Sequence, residues 1–103
     1  MATKTVPSNR IHIKWGNRQK DLKTIQDLAD KIIDSRRQTY EDNWALMSLT
    51  SLLSGAFYKT DRARTTQDLL KQFDDILDAI NYLRFSAIRI LKEIDDKQLE
   101  LPY

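Results

Sequence analysis

The stretch Asp74-Asp75-Ile76-Leu77-Asp78-Ala79-Ile80-Asn81-Tyr82 decides how this chain of 103 residues is read. At roughly 100° per residue on a helix, Asp74, Asp75 and Asp78 fall on one side and Ile76, Leu77 and Ile80 on the other. Like charges at helical spacing oppose each other by a few tenths of a kcal/mol, so three clustered carboxylates require screening by water, a basic partner or a metal. The segment predicts a helix with an apolar, core-facing side and a charged side.

Working outward, this last helix is expected over about 66–96, its start marked by Thr65 and Asp68 at capping-box spacing. Its apolar stripe is Leu69, Phe73, Ile76, Leu77, Ile80, Leu83, Ala87, Ile90, Leu91 and Ile94, expected to face the core. Residues 59–66 form a charged connector before it. A second helix is expected over about 44–58, apolar on more than one stripe and therefore central, with Gly55 marking a close helix approach or a bend. A first helix is expected over about 19–40 from the periodicity of Leu22, Ile25, Leu28, Ala29, Ile32 and Ile33, with Asp42-Asn43 as break and cap. Residues 10–15 alternate polar and apolar, the pattern of a short strand. The expected organisation is a basic, extended or partly disordered arm (1–18), a helical domain (19–97) and a short tail (98–103). The fold class is all-α, an antiparallel bundle of three main helices whose core is completed by dimerisation.

Two glycines, two prolines and no cysteine agree with a helical chain and exclude disulfides, thiolate metal sites and cysteine nucleophiles. No apolar run approaches membrane-spanning length, so a soluble, cytoplasmic protein is expected, with no membrane contact. Net charge is +2, but residues 1–24 carry six basic groups against Asp21 alone. Through Lys4, Arg10, Lys14 and Arg18 this arm could meet a phosphate backbone, or simply solubilise the chain. His12 is the only histidine, and nothing around it forms a triad or a histidine metal site.

Three clusters carry the candidate chemistry. Asp75 and Asp78, at i and i+3, present hard oxygen ligands that suit Mg²⁺, or serve as surface charge. They share an arc with Lys71, Tyr82, Phe85 and Arg89, which points to a second, partly buried surface: a pocket or an interface. Arg36 and Arg37 precede Tyr40, Asn43 and Trp44: either guanidinium forks for phosphate stand beside aromatic rings that stack on a base, or this is a helix end where Asp42 or Asn43 caps and Trp44 packs into the core. Lys59 and Arg62, with Arg64, form a basic group ahead of the last helix, either an anion site or a solvated loop whose cations neutralise nearby aspartates.

Taken in order, Arg36…Tyr40-Glu41-Asp42-Asn43-Trp44, then Lys59 and Arg62, then Asp75-x-x-Asp78-x-x-Asn81-Tyr82 resembles the helical nucleotide-modification-associated domains of phages and bacteria. Those are similar to the all-α nucleoside-triphosphate pyrophosphatases of the MazG and dimeric dUTPase type. The resemblance covers roughly residues 28–92. It implies that Asp75 and Asp78 match the second acidic pair of the pyrophosphatase Mg²⁺ site, and that Lys59 and Arg62 match phosphate-binding positions. The chain departs from the pattern in having Glu41 where glycine is common. It also lacks the first-helix Glu-x-x-Glu pair, for which Asp27, Asp30 and Asp34 are the nearest substitutes. The resulting expectation is a MazG-like, oligomeric protein that binds a nucleotide or its phosphates and hydrolyses it with Mg²⁺ if the metal site is complete. The alternatives are a non-enzymatic helical module that docks onto another protein, of phage or plasmid type, and nucleic-acid binding through the arm.

Overall fold

The computed structural model describes residues 16–36 and 46–103. They form three helices, α1 Arg18–Ser35, α2 Leu49–Thr65 and α3 Leu69–Asp96, in agreement with the expected all-α class. The alternating stretch at 10–15 and the Asp42-Asn43 cap lie outside the described residues.

Each helix starts where a short polar side chain takes an orphan backbone N–H. Asn17 Oδ1 accepts from Lys20 N at 3.1 Å, and Ser48 Oγ accepts from Ser51 N at 3.1 Å. Asp68 Oδ1 accepts from Leu70 N at 3.0 Å and Lys71 N at 3.2 Å. Asp68 is therefore the cap of α3 itself rather than the capping-box partner of Thr65, and the helix begins at Leu69. At its far end Gln98 takes a left-handed φ of 55°. There Leu99 N donates to Ile94 O and Gln98 N to Asp95 O, both at 3.0 Å, the paired bonds of a Schellman stop.

The charged connector expected at 59–66 is instead the last two turns of α2, which reaches Thr65. The segment contains no glycine or proline to break it, Arg64 pairs with Asp61 at 2.8 Å, and Arg62 and Arg64 suit the negative end of the helix dipole. The reversal needs only Thr66, Gln67 and Asp68, and Gln72 Nε2 latches it by donating to Ala63 O at 2.9 Å.

Contacts across the turn pair Ala63 with Gln72, Arg62 with Asp75, Gly55 with Tyr82 and Met47 with Arg89. As one number falls the other rises, so α2 and α3 form an antiparallel hairpin. On another side of α3, Asn81 and Arg84 meet Ala29 and Asp30, while Asp74 and Asp78 meet Arg36, so α1 also runs antiparallel to α3.

The core is small. Among the described residues its fully buried apolar members are Ala29, Leu52, Ala56, Ala63, Leu77 and Ala79. The expected core stripe of α3 is largely outside: Leu69, Ile76, Leu83, Ile90 and Leu91 are exposed, whereas Asp75, Asp78, Asn81 and Ser86 are buried. The physical reason lies on α2. Its contact face carries small residues (Gly55, Ala56, Ala63) that admit close approach, and cations (Lys59, Arg62) that match the α3 carboxylates. Gly55 shows the closeness directly, because a Cβ there would lie 2.9 Å from the Tyr82 ring. Among the described residues, no helix is long and apolar enough to cross a membrane.

Candidate functional site

Asp74, Asp75 and Asp78 occupy one turn of α3, and each can offer an oxygen within 4.8 Å of the others. Such a cluster is unfavourable unless opposite charge stands against it. Three cations do. From α2, Arg62 grips Asp75 with Nη2 to Oδ1 at 2.6 Å and Nε to Oδ2 at 2.9 Å, and Lys59 Nζ lies 3.1 Å from Asp78 Oδ2. From the end of α1, Arg36 Nη1 donates to Asp78 Oδ1 at 2.5 Å and Nη2 to Asp74 Oδ2 at 3.2 Å. Arg62 is further held over the Tyr58 ring, 5.4 Å from its centre.

The electrostatics follow from this geometry. Hydrogen bonding from Arg62 holds the Asp75 carboxyl below its ordinary range; burial opposes this, and the charges of Arg62, Lys59 and Lys71 add to the lowering. Asp75 in turn raises the Arg62 guanidinium above its already high value.

The structure thus brings Arg36, Lys59, Arg62, Asp75 and Asp78 into one cluster, as candidate phosphate and metal residues bound to one another. Arg37, Tyr40 and Asn43 lie outside the described residues, as do Lys4, Arg10 and Lys14, while Arg18 is exposed at the start of α1. Asn81, one turn beyond Asp78, is 1% exposed. Its amide donates to Ala29 O at 3.0 Å and its carbonyl accepts from Arg84 Nη1 at 3.0 Å. Tyr82 packs on Gly55, and Phe85 lines a groove with Ser48, Leu49 and Arg89. The arc of Tyr82 and Phe85 is accordingly a second partly buried surface, and what Tyr82 covers is α2 of the same chain.

One participant and one pairing escaped the sequence reading. Tyr58 was legible as an i,i+4 neighbour of Arg62. The bridge from Arg84 Nη2 to Asp30 Oδ1, at 2.6 Å, spans 54 positions; Arg84, a charge near the middle of the apolar stripe, signalled a second buried face, but nothing local named Asp30 as its partner.

The donor set is chemically right for a hard cation, being all carboxylate. Yet each of the six carboxylate oxygens lies within 3.3 Å of a nitrogen of Arg36, Lys59 or Arg62, so as it stands the cluster does not fit a bare metal ion. No first-helix carboxylate joins it. Asp27 pairs with Lys23 at 2.8 Å, Asp30 with Arg84, and Asp34 is exposed.

Fold and cluster define an all-α protein with a charge-compensated polar centre between helices. No protein-family model, curated protein or solved structure gives a significant match to the chain.

Proposed function

We propose that this protein binds the phosphates of a nucleotide at the cluster of Arg36, Lys59 and Arg62, as the MazG-like resemblance implies. The observation that carries the reading is the convergence of three cations from two helices on three carboxylates of one helical turn. Buried ion networks seldom stabilise a fold better than apolar packing would. Here one has been assembled while leucines and isoleucines of the same helix stay outside, which supports a ligand role over a purely structural one.

In this reading the carboxylates hold the cations in place until phosphate oxygens replace them. Guanidinium forks and an ammonium then meet the anion they are suited to. With no α1 carboxylate in the cluster, the function proposed is binding rather than hydrolysis.

A thermal-shift and calorimetric panel of nucleoside triphosphates, with and without Mg²⁺, tests it. The expected result is stabilisation by nucleotide that Arg36→Ala and Arg62→Ala remove. No shift and no heat with any nucleotide would end the proposal.

A further inference from the structure

Most of the apolar residues of α3 that stay outside the core line one side of the helix, with exposed Leu70 and Ile88 lying off it. Leu69, Phe73, Ile76, Ile80, Leu83, Ala87, Ile90 and Ile94 follow one another at alternating steps of four and three, an uninterrupted heptad seam along the whole helix. Leu69 is 77% exposed, Leu83 49% and Ile76 42%. The seam occupies the third side of α3, about a third of a turn from the side facing α2 and about a third from the side facing α1. Every charged residue of α3 lies off it.

On α2, Leu53 and Phe57 stand about a third of a turn from that helix's own contact face, and Phe57 is 73% exposed. The two helices are antiparallel and both offsets run the same way in sequence, so both apolar sides open on one surface of the hairpin. α1 covers the opposite surface.

We infer that this surface is the interface for a second copy of the chain, hairpin against hairpin. Three features select that occupant. First, a sustained heptad seam is filled by a helix of the same period, and this chain carries one. Second, the exposed surface of Leu53, Phe57, Leu69, Ile76, Leu83, Ile90 and Leu91 comes to roughly 700 Å², above a typical monomer patch and close to one side of a standard interface. Third, the seam is uncharged, so it meets its own copy without opposing like charges, the self-complementarity that a two-fold interface needs. The thin core supplies the demand: four alanines and two leucines are all the apolar residues fully buried among the described ones. The inference is independent of nucleotide binding, because the charged cluster faces α1 and α2 on the other sides of α3.

Sedimentation equilibrium of the full chain tests it. The expected mass is twice 12.1 kDa at micromolar concentration, with a melting temperature that rises with protein concentration. Leu83→Glu and Phe57→Glu should each shift the equilibrium to monomer by tenfold or more, and Lys92→Glu should not. Phe57 is so exposed that its substitution leaves the monomer fold intact, which keeps the test valid if Leu83→Glu unfolds. A monomeric wild type, or a dimer that survives Phe57→Glu with unchanged affinity, overturns the inference.

Discussion

Arg62 closes on Asp75 with both arms of its guanidinium, one bond from Nη2 and one from Nε, and the carboxylate it holds is 1% exposed. A single α2 side chain thereby seals the most buried charge of α3. The two helices are joined through a charge pair at the level where an ordinary hairpin would place a leucine.

This pair makes stability depend on acid. The Asp75 carboxyl is lowered in the folded protein, first by its bonds from Arg62. A lowered folded-state value means that the pair's contribution is complete above the unfolded value of about 4 and is lost as pH falls through the folded value. Urea midpoints measured across pH should therefore hold between about pH 7 and 5 and fall below about pH 4. Asp75→Asn should be less stable at neutral pH and show a shallower acid limb. An acid limb parallel to wild type would remove Asp75 from this role.

Gly55 is predicted to resist its usual improvement. Gly→Ala within a helix ordinarily gains about 1 kcal/mol. Here the new methyl would sit 2.9 Å from Tyr82 Cε1 and Cζ and force the hairpin apart, so Gly55→Ala should instead lose about 1–3 kcal/mol. In a Tyr82→Leu background the same change should become neutral or favourable. Chemical denaturation of the four proteins of this double-mutant cycle measures the coupling.

The stop of α3 has room for improvement. Gln98 occupies a left-handed conformation, φ 55°, that glycine adopts without a Cβ penalty. Gln98→Gly should stabilise the protein by about 0.5–1 kcal/mol, read as a higher urea midpoint with an unchanged slope. A loss of stability would show that the Gln98 side chain contributes more than its backbone strain removes.

Much of the architecture was legible locally. Helical periodicity over 22–33 and 69–94 and the scarcity of glycine and proline led to an all-α protein. Gly55 as a point of close approach was legible too, since a glycine within a helix needs a packing reason. The charged clusters were visible as clusters, because Arg36, Lys59, Arg62, Asp75 and Asp78 are dense polar points in otherwise apolar helices. Several local readings failed: the first helix, expected to about 40, ends at Ser35, and the second, expected from about 44, starts at Leu49. The run at 59–65 looked like a connector from its charge, although nothing in it breaks a helix and its cations had α3 carboxylates to meet. Asp68 was read as the partner of a cap, although an aspartate two residues before free N–H groups caps them itself.

What the residues determined by themselves was that the chain folds as helices and that the last of them has one apolar and one charged side. Which side turns inward was decided only in three dimensions. Hydropathy ranks the sides of an isolated helix, but burial depends on what the neighbouring helix presents. Here α2 offers small residues, one lysine and one arginine, and α1 ends in Arg36. Carboxylates can be buried against those cations because each loses water only to gain a charged hydrogen-bonding partner. Leu69, Ile76, Leu83, Ile90 and Leu91 of α3, with no such partner within the three helices, are left facing out.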